Sequence, residues 1–256
     1  MTTLASSSEK QSGSSASAFI ASGFHWDRAR AYLFDIDGTL VRSRDPVHYF
    51  AFQHAMRKVF GLDATIDGVP VQGNTDIGIL RAVLRQQGLA DSEIDTGLPQ
   101  LVEEMCMEVR RNASQMAPEL CPSIRELLSL LDSQGKLLGA ASGNLETIGW
   151  LKLERAGIRH IFAFGSFSHP LEFRSDIFHQ GVATARQYLG PSAEVYVVGD
   201  TPADIEAARA VGIPIIAVAT GIFEFDQLLA LQPDACFACA TDMLRIGRSG
   251  EVSASP

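Results

Sequence analysis

Apolar residues follow two different periods along this chain, and their order predicts an α/β fold. From about residue 118 onward, short strand-like apolar runs alternate with segments whose apolar residues recur at helical spacing. The predicted helices cover 123–134, 145–156, 176–189 and 203–211, and the predicted strands cover 136–142, 160–164, 194–198 and 213–220. Such alternation indicates a parallel sheet with helices on both of its faces.

The N-terminal half departs from this alternation. A first strand ending near residue 34 is followed by three segments with helical spacing and no strand between them. These segments are 47–61, 77–88 and 98–116. Three consecutive helices inside an α/β pattern predict an inserted helical cap domain at 46–117, and the core domain then consists of 28–45 and 118–248.

Both ends of the chain are predicted to be flexible tails. Residues 1–27 are rich in serine and show no apolar period, and residues 249–256 are short and polar. A transit peptide is an alternative for the N-terminal tail, but arginines are missing before Arg28.

The composition argues against two classes of binding partner, nucleic acids and membranes. The formal charge of -9, from 21 basic and 30 acidic residues, provides no basic surface for nucleic acid. No apolar run approaches the length of a membrane span. The 4 cysteines have spacings that suggest no disulfide framework, so a reducing compartment is expected. We predict a cytoplasmic monomer or homodimer that contacts neither nucleic acid nor membrane.

Acidic residues stand where two predicted strands end. Asp35 and Asp37 follow the first apolar run, and Asp200 and Asp204 follow the strand at 194–198. In parallel sheets the carboxyl ends of the strands meet at the ligand-binding edge. An Asp-x-Asp-Gly segment alone also fits an ordinary turn. Four acids at one edge instead indicate a bound cation, because buried carboxylates are costly unless they are neutralised.

A third strand end carries neutral polar groups. The strand at 136–142 leads into Ser142, Gly143 and Asn144. A hydroxyl together with backbone N–H groups at the start of a helix suits an anion such as phosphate. This segment alone is also typical of a turn. It indicates a phosphate site only because it lies at the same sheet edge as the acids.

These three segments together resemble the haloacid dehalogenase (HAD) superfamily of phosphotransferases. The resemblance covers about 30–247 and extends to the helical insert, which resembles the cap of phosphoglycolate phosphatase and β-phosphoglucomutase. It implies a Rossmann-like core, an aspartyl-phosphate formed on Asp35, and Asp37 as the general acid that later activates water. It also implies Mg²⁺ bound by Asp35, the backbone carbonyl of Asp37, and Asp200, with support from Asp204.

The sequence offers two candidates for the cation expected in the third family motif. That motif usually carries a lysine, but the stretch before the helix at 176–189 offers only Arg174. A guanidinium binds phosphate bidentately, so Arg174 is the preferred candidate for catalysis and phosphate binding. Lys152 is the competing candidate, although its position on the helix at 145–156 favours a solvated face.

The resemblance implies a Mg²⁺-dependent phosphatase that acts on a small phosphorylated metabolite. The alternatives are a β-phosphoglucomutase-like mutase and a phosphate-binding scaffold without turnover. His48 lies near the position of a histidine in the mutase, but a helix-surface or hinge role is preferred for it. The candidate substrate contacts are Thr39, Arg42, Arg44, Asn74, Thr75, Arg81 and Arg85.

Overall fold

A computed structural model describes residues 17–249, so the parts of the two predicted tails at 1–16 and 250–256 lie outside the described residues. The central sheet has seven strands in the order β1-β9-β8-β7-β2-β5-β6. Its strands are β1 Ala18–Ile20, β2 Ala31–Phe34, β5 Leu137–Leu145, β6 Phe164–Ser168, β7 Val195–Gly199, β8 Ile215–Val218 and β9 Ala235–Phe237. All neighbours pair in parallel except β1, which is antiparallel to β9.

Helices cover both faces of the sheet, as the alternation predicts. The described helices are α1 Val47–Phe60, α2 Asp76–Gln86, α3 Asp91–Arg111, α4 Ile124–Ser133, α5 Glu146–Arg155, α6 Arg174–Leu189, α7 Pro202–Val211, α8 Phe225–Leu229 and α9 Ala240–Ser249. Two separate apolar clusters fill the spaces on either side of the sheet. The strand β2 is buried along its whole length between β5 and β7, which places its carboxyl end at the centre of the sheet edge.

The inserted helices pack on a hydrophobic cluster of their own. The helices α1, α2 and α3 supply most of this cluster, and Leu145 and Ile148 join it from the sheet side. The chain enters and leaves the insert through β3 (Val41–Ser43) and β4 (Pro118–Leu120), which pair with each other in antiparallel fashion. The treatment of 46–117 as an independent domain remains a prediction, because the insert shares apolar contacts with the core.

Three sequence predictions need correction. The N-terminal tail does not extend to residue 27, because Ala18–Ile20 forms the edge strand β1 and Trp26 is buried. The strand predicted at 160–164 is displaced to Phe164–Ser168, since Arg159–Ile161 forms a 3₁₀ turn. The helix predicted at 98–116 begins at Asp91, where the Glu93 carboxylate accepts a hydrogen bond from the Ala90 N–H at 2.9 Å and supports the first turn.

None of the helices within residues 17–249 combines the length and the apolar character needed to cross a bilayer.

Candidate active site

A cavity of about 540 Å³ opens at the carboxyl ends of the central strands, beneath the inserted helices. Most of the predicted site residues line it, namely Asp35, Asp37, Arg42, Asn74, Ser142, Gly143, Asn144, Arg174 and Asp200. Thr39, Thr75 and Asp204 lie behind this lining and are buried.

Three carboxylates gather at the floor of the cavity. One oxygen from each of Asp35, Asp200 and Asp204 lies within 4.8 Å of the others. Burial, followed by the charges of neighbouring acids, raises the pKa of Asp200 well above its usual value. Burial also raises the pKa of Asp35, to about 6, although Arg174 opposes the shift. Carboxylates with raised pKa values in such proximity are stabilised by a cation.

The loops around Asp200 are shaped to hold its carboxylate. Gly38 has φ +87°, and a Cβ there would lie 2.2 Å from Asp200 Oδ2. A Cβ at Gly221 would lie 1.8 Å from the same oxygen. The Thr39 hydroxyl donates to Asp200 Oδ1 at 2.8 Å, so Thr39 orients an acid and does not reach the cavity.

The donor set fits a hard divalent cation. Asp35 Oδ1 is buried without a hydrogen-bond partner and is therefore available to a ligand. Asp204 is more fully engaged, because its Oδ2 accepts from the Thr201 N–H at 3.0 Å and the Thr201 hydroxyl at 2.7 Å. Carboxylate oxygens are the ligands that Mg²⁺ prefers. Asp35 and Asp200 therefore offer the more accessible oxygens of the cluster.

Arg174 lies at the first residue of α6 and faces this acid cluster. Its Nη1 is 3.4 Å from Asp35 Oδ1 and 2.5 Å from Asp204 Oδ1. Its Nε donates to the Gly73 carbonyl oxygen of the insert at 2.9 Å. The side chain is only 9% exposed, yet nearby carboxylates outweigh the effect of burial and keep the guanidinium charged. Arg174 thus contacts two of the clustered acids, and its role as the third-motif cation stays a prediction.

Lys152 also reaches the site, so the prediction of a solvated face for it is wrong. Its side chain is 3% exposed, and its Nζ donates to Asp37 Oδ2 at 2.6 Å. Burial alone would raise the pKa of Asp37, but the Lys152 ammonium and the Asn144 amide hold that pKa below its usual value. The sequence does contain a signal for this contact, because Lys152 lies four residues after the buried Ile148 on the apolar face of α5.

His48 is part of the same site, so the helix-surface role preferred for it is wrong, whereas the alternative hinge role stays a prediction. It lines the cavity, with Nδ1 3.2 Å from Lys152 Nζ and Nε2 3.1 Å from Asp76 Oδ2. Sequence reasoning gave Asp76 no role in the chemistry. The contact of His48 depends on how the insert lies against the core, which no local pattern reveals.

The segment from Ser142 to Asn144 belongs to the irregular end of β5. The strand continues to Leu145 with a break in its register, so this segment does not start the helix. The Leu145 N–H is already bound to Asp76 Oδ2 at 2.7 Å. A Cβ at Gly143 would lie 2.3 Å from the Asn74 carbonyl oxygen, so a glycine allows the insert to approach here. Ser142 and Gly143 remain at the cavity wall.

The candidate substrate contacts separate into two groups. Arg42 and Asn74 line the cavity. Thr75 instead caps α2 and donates to the Glu172 carbonyl oxygen at 2.6 Å. Three arginines are paired with acids outside the cavity lining: Arg44 with Glu119, Arg81 with Asp95 and Glu172, and Arg85 with Asp91.

The fold and this site define an α/β protein with a buried acidic centre and two adjacent cations at the carboxyl ends of its central strands. A family model described as haloacid dehalogenase-like hydrolase matches residues 29–212. The chain therefore belongs to the haloacid dehalogenase-like hydrolase family, and its enzyme class is that of the phosphoric monoester hydrolases.

Individual relatives agree with this assignment. A phosphoglycolate phosphatase from Synechococcus elongatus is 31% identical over 223 residues, which cover 84% of this chain and 96% of that protein. The crystal structure of a predicted phosphoglycolate phosphatase from Haemophilus somnus has a TM-score of 0.60 and 21% identity, and the match covers 86% of this chain and 98% of that one. CbbY from Rhodobacter sphaeroides, solved in complex with phosphate, has a TM-score of 0.58 and 20% identity, with coverage of 77% and 89%. The two structural likenesses show the shared fold.

Proposed function

We propose that this protein is a Mg²⁺-dependent phosphatase of a small phosphorylated carboxylic acid, with 2-phosphoglycolate as the first candidate substrate. The observation that carries the proposal is the position of Asp35. Its buried Oδ1 has no hydrogen-bond partner, and the carboxylate lies between Arg174 and the other acids at the floor of the cavity. The names of several relatives, including the one from Synechococcus elongatus, support the choice of substrate.

The chain's own residues can be assigned to both halves of the reaction. In the first half, an Asp35 oxygen attacks phosphorus, the bond from phosphorus to the leaving oxygen breaks, and Asp37, which must enter this half in its protonated form, supplies a proton to that oxygen. In the second half, Asp37 accepts a proton from water, which attacks phosphorus and breaks its bond to Asp35. Inorganic phosphate leaves, and both carboxyl groups return to their starting state. Arg174 and Ser142 orient the phosphoryl oxygens meanwhile.

The bound cation would be Mg²⁺, held by Asp35, Asp200 and the backbone carbonyl of Asp37, with Asp204 in support. When bound, it supplies positive charge that lets a carboxylate approach a phosphoryl dianion.

Binding of this cation is expected to stabilise the protein. Because it neutralises clustered acids, saturating Mg²⁺ should raise the midpoint of thermal unfolding by several degrees, in line with about 2.7 kcal/mol at 100 times Kd. Thermal unfolding with and without a chelator measures the effect. Asp200→Asn should remove most of the shift, whereas Asp67→Asn, an exposed acid of the insert, should retain it. An equal shift in both variants would contradict the assignment.

A direct test of the proposed activity is a screen of phosphate release with Mg²⁺ present. The panel includes 2-phosphoglycolate, ethyl phosphate, hexose phosphates and p-nitrophenyl phosphate. We expect the highest kcat/KM for 2-phosphoglycolate. No release from any compound, p-nitrophenyl phosphate included, would favour the scaffold alternative.

The mutase alternative is weakened by the charge of the cavity roof. Within 47–117, the side chains that line the cavity include no lysine or arginine. A mutase must hold a second phosphate while the first is transferred, and such a group needs a cation. With a hexose 1-phosphate and its bisphosphate, free phosphate should therefore exceed the isomerised product. Efficient isomerisation with little free phosphate would favour the mutase.

Arg42 is the candidate for recognising a substrate carboxylate. Its Nε donates to the Thr220 carbonyl oxygen at 2.7 Å, which fixes the side chain at the cavity wall. Of the lysines and arginines that line this cavity in the described chain, Lys152 and Arg174 are already paired with acids, whereas Arg42 has no ion pair. Its terminal nitrogens can therefore donate hydrogen bonds to a second anionic group of the substrate.

Replacement of Arg42 should act selectively on anionic substrates. Arg42→Ala should raise KM for 2-phosphoglycolate by about 10-fold or more, the effect of losing one charged hydrogen bond. KM for ethyl phosphate, which lacks the carboxylate, should change little. Arg44→Ala is the matched control, because Arg44 is 78% exposed and pairs with Glu119. Equal effects of Arg42→Ala on both substrates would exclude carboxylate recognition.

A further inference from the structure

The Lys152 ammonium is buried in a set of hydrogen bonds that satisfies all of its donors. An ammonium has three N–H groups and no acceptor. Here Nζ lies 2.6 Å from Asp37 Oδ2, 2.8 Å from Asn144 Oδ1 and 3.2 Å from His48 Nδ1. A lysine this deeply buried is uncommon unless it is paired, and here each donor has one acceptor.

These contacts fix the orientation of the Asp37 carboxylate. Asp37 Oδ2 accepts from Lys152 and also from the Asn144 amide at 2.7 Å. Because both donors hold the same oxygen, the other oxygen, Oδ1, is left for the cavity, and the Asp37 side chain is 43% exposed. The pair of donors thus presents one defined oxygen to a substrate or water molecule.

One of the three acceptors comes from the inserted helices. Lysine can only donate, so His48 Nδ1 must accept, and the proton of the neutral ring then lies on Nε2 and is donated to Asp76 Oδ2. Asp76 Oδ2 also accepts the Leu145 N–H of β5 at 2.7 Å. His48 lies on α1 and Asp76 on α2, so the set is complete only when the insert lies against the core.

We propose that Lys152 is a positioning residue that holds Asp37 for the activation of water, and that His48 and Asp76 make this positioning depend on the insert. The inference rests on the proposed function, because it assumes hydrolysis of an aspartyl-phosphate at Asp35. Under this proposal, the rate of the second half-reaction depends on Lys152 of α5 as well as on Asp37.

The substrate p-nitrophenyl phosphate separates a role of Lys152 in the second half-reaction from a role in the first. Its leaving group departs without a proton, so Asp37 is needed only when water attacks the aspartyl-phosphate. Rapid mixing resolves a burst of p-nitrophenol, which reports phosphoryl transfer to Asp35, from the steady rate, which reports hydrolysis. A loss of folding would reduce both.

Lys152→Met should lower the steady rate by about 10- to 100-fold while the rate constant of the burst stays within about 3-fold of wild type. Its kcat and KM should fall together, so that kcat/KM is nearly retained. Lys136→Met is the matched control, because Lys136 donates to two backbone carbonyls far from the cavity. It should leave both phases unchanged.

The contribution of the insert is tested in the same assay. His48→Ala should lower the steady rate by about 3- to 10-fold, whereas His54→Ala, which removes the α1 histidine beside Glu104 and Glu108, should not. Equal rates for these two variants would overturn the dependence on the insert.

A Lys152→Met protein whose burst and steady rate fall equally, or in which neither falls, would overturn the positioning role. A wild-type protein that releases no p-nitrophenol would instead overturn the proposed function, and the inference with it.

Discussion

Asp35→Asn is expected to abolish turnover, with a loss of roughly 10³-fold or more in kcat. Asparagine has nearly the same shape, but its amide is a poor nucleophile and cannot form an aspartyl-phosphate. Steady-state phosphate release and mass spectrometry of the quenched wild-type protein measure the two consequences. The wild-type peptide that contains Asp35 should gain the mass of a phosphoryl group or be labelled after hydroxylamine treatment.

The same substitution should leave the protein folded and make the metal-free form more stable at neutral pH. Burial raises the pKa of Asp35 to about 6, above its value near 4 in an unfolded chain. The contribution of Asp35 to the free energy of unfolding is therefore fully present below about pH 4, where the carboxyl group is protonated, and is lost as the pH rises towards 6. A neutral asparagine avoids that loss, which is at most about 3 kcal/mol.

Thermal unfolding in a chelator at pH 7 should therefore give a higher midpoint for Asp35→Asn than for wild type. Asp67→Asn serves as the control for activity and for stability, since this exposed acid lies outside the cavity lining. A variant of Asp35 that kept more than about a tenth of wild-type turnover would show that another group is the nucleophile.

The acidic half of the site could be predicted because it is encoded locally. Asp35 and Asp200 each follow an apolar run that becomes a buried strand, and parallel pairing brings the ends of β2 and β7 together. The position of an acid at a strand end therefore determines its position at the site. Arg174 could be inferred in a similar way, since it begins the helix that follows the neighbouring strand β6.

The other half depends on contacts that no single segment encodes. Lys152 is a long side chain on a helix, and only the packing of α5 decides whether it faces solvent or Asp37. His48 lies 104 residues from Lys152 in sequence, and its contact requires α1 to lie above the sheet edge. The edge strand β1 could not be predicted for the same reason. It has only three residues next to a serine-rich segment, and it pairs with β9, which lies near the other end of the sequence.

Arg174→Ala is expected to lower kcat/KM by about 30- to 1,000-fold, which corresponds to about 2 to 4 kcal/mol of transition-state stabilisation. A phosphoryl group in transfer spreads negative charge over its equatorial oxygens, and a bound cation contacts only some of them. Arg174 provides the remaining full charge, from a position 3.4 Å from Asp35 Oδ1. Steady-state kinetics with 2-phosphoglycolate and with p-nitrophenyl phosphate measure the loss, which should be similar for both substrates because both transfer the same group.

Arg174→Ala should also lower the free energy of unfolding. The experiment must therefore separate a loss of stability from a loss of catalytic rate. Asp204 is fully buried and would lose its cationic partner, a change that typically costs about 3 to 5 kcal/mol. Arg174→Lys provides the folded comparison. It keeps the charge but cannot hold Asp204 and the Gly73 carbonyl oxygen in one planar fork, so it should be impaired but active.

Arg81→Ala is the matched control for the loss of a largely buried arginine. Arg81 is also held by two acids, but it lies outside the cavity lining, so its removal should lower stability and leave kcat/KM within a few-fold of wild type. The decisive comparison is with the second buried cation. If Arg174→Ala retained kcat/KM within a few-fold while Lys152→Ala abolished it for both substrates, then Lys152 would be the cation that stabilises the transferred phosphoryl group. The contact between Arg174 and Asp204 would then serve only to hold α6 against the start of α7.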